Sequence, residues 1–86
     1  MRVVYSEDVR KQISKLDNSI KKRIFDYMDE VEKLENPRLR GKRLVGNFLG
    51  LWRYRVGAYR ILCDIRDDEL LILVVEVGHR KEVYDK

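Results

Sequence analysis

Apolar residues recur along this chain with two different periods, and the change of period falls near its middle. Val9, Ile13 and Leu16 share one face at helical spacing. Ser6 precedes them as a cap, and Glu7 and Asp8 suit the positive first turn. Asp17-Asn18-Ser19 interrupts the stripe and offers a new cap. Ile20, Ile24, Tyr27 or Met28, Val31 and Leu34 then trace a longer stripe. Its other face, with Lys21, Lys22, Asp26, Asp29, Glu30 and Lys33, is a solvated surface. Asn36-Pro37 stops it. Two antiparallel helices joined by a tight turn are expected, with Arg2 to Tyr5 as a short strand before them.

In the second half the period falls to two. Gly41 to Gly50 is expected as a loop, because it holds three glycines and Asn47. Leu51 to Val56 alternates, with Leu51, Arg53 and Arg55 on one side and Trp52, Tyr54 and Val56 on the other. Gly57-Ala58 is a tight turn. Tyr59 to Ile65 is a strand with Tyr59, Ile61, Cys63 and Ile65 on one face, and Asp67-Asp68 is the next turn. Leu70 to Val77 is almost wholly apolar and reads as a central strand covered on both faces. Gly78 ends it. Helices first and a strand meander afterwards predict an α+β domain of two layers. No internal repeat or linker divides residues 1–86, so a single domain is expected.

Composition changes this picture in one respect. The net charge is only +4, yet the 28 residues from Asn36 to Cys63 hold seven basic residues and no acid. Arg38, Arg40, Lys42, Arg43, Arg53, Arg55 and Arg60 therefore form a regional positive field suited to a polyanion, with phosphate the usual one. No apolar stretch is long enough for a membrane span and the first residues lack a signal-peptide core, so no membrane partner and a cytoplasmic location are expected. Cys63 is the only cysteine, which leaves no disulfide and reads as a small core residue.

Most site chemistries fail on residue types. One His and one Cys cannot build a zinc site, and the glycines lack P-loop spacing, so no cofactor is expected. A Ser-His-Asp triad is disfavoured because the serines lie in the helical half, far along the chain from His79. Arg53 and Arg55, at i and i+2 of a strand, point the same way about 6.6 Å apart. Arg60, across the turn, can join them in a set of guanidinium forks for phosphate. The competing reading is a group of solvated arginines paired with carboxylates, and the local absence of carboxylates favours the first. A second candidate run, His79, Arg80, Lys81, Glu82 and Tyr84, follows the long apolar strand. Arg80 suits a phosphate, Tyr84 a stacked base, and His79 brings an imidazole, the side-chain type most used for proton transfer. The bland alternative is a polar tail in which Tyr84 closes the core.

The order Arg53-Tyr54-Arg55, Gly57-Ala58-Tyr59-Arg60, long apolar strand, Val77-Gly78-His79-Arg80 and Val83-Tyr84 resembles the RelE/ParE superfamily of type II toxin-antitoxin toxins, and within it the RelE-like branch. The Gly41-Lys42-Arg43-Leu44-Val45-Gly46 segment is similar to the family's basic segment before the second strand. The resemblance spans the whole chain. It implies two N-terminal antiparallel helices on a small, mainly antiparallel sheet. It also implies a ribosome-dependent messenger-RNA endoribonuclease that cuts in the ribosomal A site by 2′-hydroxyl attack on phosphate. Arg53 and Arg55 would take the paired basic positions, Arg60 the transition-state position, Arg80 the leaving-group position and Tyr84 the base-stacking position. RelE-like toxins commonly carry lysines at the paired positions, and arginine is a poor base. His79 is the favoured proton-transfer residue, with Lys81, Glu82 and Tyr84 the other titratable groups. Arg38, Arg40, Lys42, Arg43 and Lys81 would bind RNA more generally. A RelB-like antitoxin, the ribosome and messenger RNA are the implied partners, with Trp52, Phe48 and Leu49 as candidate antitoxin contacts. The alternatives are a ParE-like DNA gyrase inhibitor and a non-catalytic RNA-binding relative.

Overall fold

A computed structural model describes residues 1–80. The chain begins with strand β1 (Arg2–Tyr5), then helices α1 (Glu7–Ser14) and α2 (Asn18–Lys33). Four further strands follow: β2 (Lys42–Arg43), β3 (Trp52–Val56), β4 (Tyr59–Arg66) and β5 (Leu71–His79). They form one sheet in the order β1-β5-β4-β3-β2, with only the β1–β5 pair parallel. Both helices pack on the same face, so the two-layer α+β architecture expected from the sequence is present.

The local signals explain the elements. Ser6 Oγ accepts from the Val9 N–H at 3.2 Å and caps α1. Asp17 occupies the cap position of α2 without a side-chain bond. The helical stripes deliver Val9, Ile13, Ile24, Met28 and Val31 into the core, where they meet Tyr54, Val56, Ile61, Cys63, Ile72, Val74 and Val77 of the sheet. Two aromatics of β3 pin the connection that follows α2. The Tyr54 hydroxyl donates to the Pro37 carbonyl and the Trp52 indole to the Arg40 carbonyl, both at 2.7 Å.

Three features differ from the sequence reading, the first being that β5 continues through Gly78 to His79. The glycine-rich stretch is not wholly loop, because Lys42 and Arg43 pair with Arg53 and Trp52 as a two-residue edge strand. The strand buried on both faces is β4, not β5: Arg60, Ile61, Leu62 and Cys63 are all buried, while Leu71, Leu73 and Val75 are only half-buried. The reason is position. β4 is the middle strand, and Leu44, Phe48 and Leu51 of the connection fold over Leu62 and Val75 on the face opposite the helices.

Side chains from the helices cap the sheet's open backbone. Glu32 Oε2 on α2 accepts from the Val3 N–H at 2.8 Å. Gln12 Oε1 on α1 accepts from the Val77 N–H at 2.8 Å, beyond the point where β1 leaves β5. Both groups would otherwise offer unpaired strand edges.

Candidate nucleic-acid interface

The site is organised by the β3–β4 hairpin. Gly57 and Ala58 join Val56 to Tyr59 in a two-residue turn, and Gly57 takes the positive φ of 58° that such turns require. This register sets Arg55 directly opposite Arg60 and Arg53 opposite Leu62. Tyr54, Val56, Ile61 and Cys63 fill the helix-side core, so the alternating residues Arg53, Arg55, Arg60 and Leu62 lie on the face opposite α1 and α2. Lys42, paired with Arg53, joins the same face.

A bulge in β5 decides what the next strand contributes. Leu62 pairs with Glu76 and Cys63 with Val74, so Val75 is skipped. Val74 and Val77, three residues apart, both enter the helix-side core as a result. Without the bulge, alternation from Val74 would send Gly78 to the helix side and His79 to the arginine side. With it, Gly78 stands opposite Arg60 and His79 opposite Tyr59. Arg60 is only 5% exposed, and the residue opposite it on β5 carries no side chain. Arg80, the next residue, donates its N–H to the Ala58 carbonyl at 2.8 Å and is held at the turn.

Arg53, Arg55, Arg60 and Lys42 are therefore gathered on one face, with Arg80 at its end. Arg55 and Arg80 form no salt bridge within 4.0 Å among the described residues. His79, favoured from the sequence for proton transfer, is not brought to that face. Its ring meets Tyr59 edge-on, with centroids 5.6 Å apart, in a cleft lined by Gln12, Lys15 and Leu16 of the α1 side. The imidazole there stands across the sheet from the arginines.

The other basic residues divide. Arg38 makes a bidentate pair with Asp67, both bonds 3.0 Å, and lies 5.9 Å from the Trp52 ring centroid. The Asp67 bond holds the Arg38 pKa above its ordinary value and the Asp67 carboxyl below the usual range. Arg40 pairs with Glu30 at 2.8 Å and stacks on Tyr27. The local absence of acids in the sequence is thus made good from elsewhere in the fold, and neither arginine lies on the face opposite α1 and α2. Arg43 is paired across from Trp52, also on the helix side. Lys81, Glu82 and Tyr84 lie outside the described residues.

Remaining candidates take structural places. Burial pushes the Cys63 thiol well above its ordinary pKa, with Asp64 adding to the effect, so the thiol is a packed core group rather than a nucleophile. Of the suggested protein contacts, Trp52 packs against the helix-side core and Phe48 against Leu44 and Leu62, while Leu49 is 75% exposed. One basic residue escapes sequence reasoning altogether. Arg23 of α2 lies against Gly57, its Nη2 3.2 Å from where a Cβ on that glycine would stand. Nothing in the spacing separates it from Lys21 or Lys22, because only the hairpin's placement brings it to the turn.

Comparison with known proteins bears on the family and the fold. A family model described as ParE toxin of type II toxin-antitoxin system, parDE, matches residues 3–84. A chain of the RelBE2 toxin-antitoxin complex from Mycobacterium tuberculosis superposes with a TM-score of 0.80 at 25% identity, covering 91% of this chain and 88% of that one. The archaeal RelE-RelB complex from Pyrococcus horikoshii gives 0.74 at 25%, covering 92% and 93%. A mutant of the Escherichia coli toxin RelE in the free state gives 0.76 at 22%, covering 94% and 84%. No curated protein matches in sequence. No helix among the described residues is long and apolar enough to cross a membrane.

Proposed function

The chain belongs to the ParE toxin family of type II toxin-antitoxin systems, in the RelE/ParE superfamily, and from that membership we propose that it is an endoribonuclease of the RelE kind, cutting messenger RNA in the ribosomal A site. The observation that carries this reading is the row Arg55, Arg60 and Gly78 across three strands, with Arg80 tied to the adjacent turn. Like charges directly opposite each other cost stability, so a cross-strand arginine pair is a local conflict of the kind functional sites retain.

RNA brings its own nucleophile. The 2′-hydroxyl attacks the adjacent phosphorus, the 5′-oxygen leaves with a proton, and a 2′,3′-cyclic phosphate remains on the upstream fragment. The protein then has to align the strand and stabilise the extra negative charge on phosphate. Arg60 is suited to the second task, since a guanidinium withdrawn from water interacts more strongly with developing charge. Arg55 and Arg53 bind and polarise, Arg80 meets the departing oxygen, and Tyr84 supplies the base-stacking role its sequence position implies. No proton acceptor is assigned to His79. Ribosome-held geometry carries the alignment that a strong general base would otherwise have to assist.

The same membership supports a cognate RelB-like antitoxin as partner, because the similar structures include toxin-antitoxin complexes from a bacterium and an archaeon. A second reading has its own support. The matching family model is described by its ParE members, and the paired basic positions hold arginines rather than lysines. Inhibition of DNA gyrase by binding is the activity that goes with it. A purified translation reaction run beside a gyrase supercoiling reaction decides between the two. Cleaved transcripts with unaffected supercoiling support the endonuclease, and the reverse result supports the gyrase inhibitor.

A further inference from the structure

We propose that Arg23 of α2 holds a second phosphate of the bound strand, in a groove beside the Gly57–Ala58 turn, so that the nucleic acid runs from the arginine face over the turn and along α2. This rests on the reading that the face takes RNA.

The groove has a volume of about 330 Å³ and is lined by Arg23, Tyr27, Arg55, Gly57 and the carboxylates Asp26 and Glu30. Both acids already hold other cations. Asp26 Oδ2 is 2.9 Å from Lys22 Nζ, and Glu30 Oε1 is 2.8 Å from Arg40 Nη1. Arg23 and Arg55 form no salt bridge within 4.0 Å among the described residues. The Arg23 guanidinium thus lies in an open groove that Arg55 also lines and whose acids are engaged elsewhere.

The backbone adds a donor. In a two-residue hairpin the residues flanking the turn, Val56 and Tyr59, form the bonded pair, so the N–H of Arg55 points away from β4. β2 reaches only as far as Arg53, which leaves that edge open beside α2. Gly57 completes the site by having no side chain. A Cβ there would stand 3.2 Å and 3.4 Å from Arg23 Nη2 and Nη1, so the glycine lets the guanidinium lie against the turn. The planar fork of Arg23 and the main-chain N–H of Arg55 match the oxygens of a phosphodiester. Arg55 belongs both to this groove and to the cross-strand row with Arg60, so the two phosphate positions are contiguous.

The test compares wild type with Arg23→Gln and Arg23→Lys. Equilibrium binding of a short, uncleavable 2′-O-methyl single-stranded RNA is followed against salt, and cleavage is followed on programmed ribosomes. Loss of one phosphate contact should lower the slope of log affinity against log salt by about 0.7 in Arg23→Gln, with the slope retained in Arg23→Lys. On ribosomes the half-saturating concentration rises in Arg23→Gln while the maximal rate stays at the wild-type value. An unchanged slope, or a fall in maximal rate without a change in half-saturation, overturns the proposal. So does wild type that binds an acidic peptide but no RNA. Wild type that binds RNA with an Arg23-dependent slope yet cleaves nothing removes the endonuclease reading and keeps the subsite.

Discussion

Arg55 and Arg60 stand directly opposite each other across the β3–β4 hairpin, on the face of the sheet opposite α1 and α2. Arg60 is buried and Arg55 is exposed, so the pair has one fixed and one adaptable guanidinium. The folded chain bears the repulsion between them. Arg55→Thr, which substitutes a good strand former, should therefore raise stability by about 0.2–1 kcal/mol. Thermal unfolding should show a Tm increase of a few degrees for a domain of this size. RNA cleavage should fall in the same variant. A simultaneous loss of stability and activity would mean that Arg55 serves the fold.

His79 gives the opposite expectation. Its ring contacts Tyr59 on the helix side, across the sheet from the arginines. His79→Ala should keep the maximal cleavage rate within about threefold of wild type, well short of the 10²–10⁴-fold contribution of a general acid or base. A loss on that larger scale at neutral pH, with the fold intact, would restore the imidazole to the mechanism.

Tyr54 tests what holds the hairpin in place. Burial raises its pKa, so the hydroxyl stays protonated and donates to the Pro37 carbonyl at 2.7 Å. Tyr54→Phe leaves that buried carbonyl without its donor and should cost about 1–3 kcal/mol. Denaturant unfolding should show a lower midpoint with an unchanged m-value.

The Arg38–Asp67 pair predicts a pH dependence of defined sign. The guanidinium depresses the Asp67 pKa in the folded state. That group therefore adds stability above its unfolded pKa, and the gain is lost as pH falls through the lower, folded value. Asp67→Asn should be less stable than wild type at neutral pH and converge with it in acid. Both partners are solvent-accessible, so high salt should shrink the difference at neutral pH.

Much of this architecture was legible in the chain. The helical stripes ending in Leu16 and Leu34, the Ser6 cap and the Gly57-Ala58 turn are local signals, and each matches its element. Helix-side placement of Trp52, Tyr54 and Val56 followed from simple alternation. What local patterns could not show depends on contacts distant in sequence. Lys42 and Arg43 make too short a run to show a period, and only pairing with β3 makes them a strand. Glu30 and Asp67 reach Arg40 and Arg38 from other elements, so an acid-free stretch did not mean a stretch of unpaired cations. The bulge at Val75 reverses the alternation after it, and for that reason the face of His79 could not be read from spacing. Arg23 belongs to the polar side of α2 in sequence and to the hairpin turn in space.

On the proposed reading, the arginine face of the sheet opposite α1 and α2 cleaves RNA. The most direct test of that reading maps the ends of a defined messenger RNA on purified programmed ribosomes, with wild type, Arg60→Ala and the exposed-site variant Arg80→Ala compared at matched Tm. The account predicts a cut within the A-site codon, a 2′,3′-cyclic phosphate on the upstream fragment, and a rate reduced by about 10²-fold or more in both variants, the scale expected for loss of a charge-stabilising donor. Intact messenger RNA with wild type, or undiminished cleavage by both variants, would contradict it.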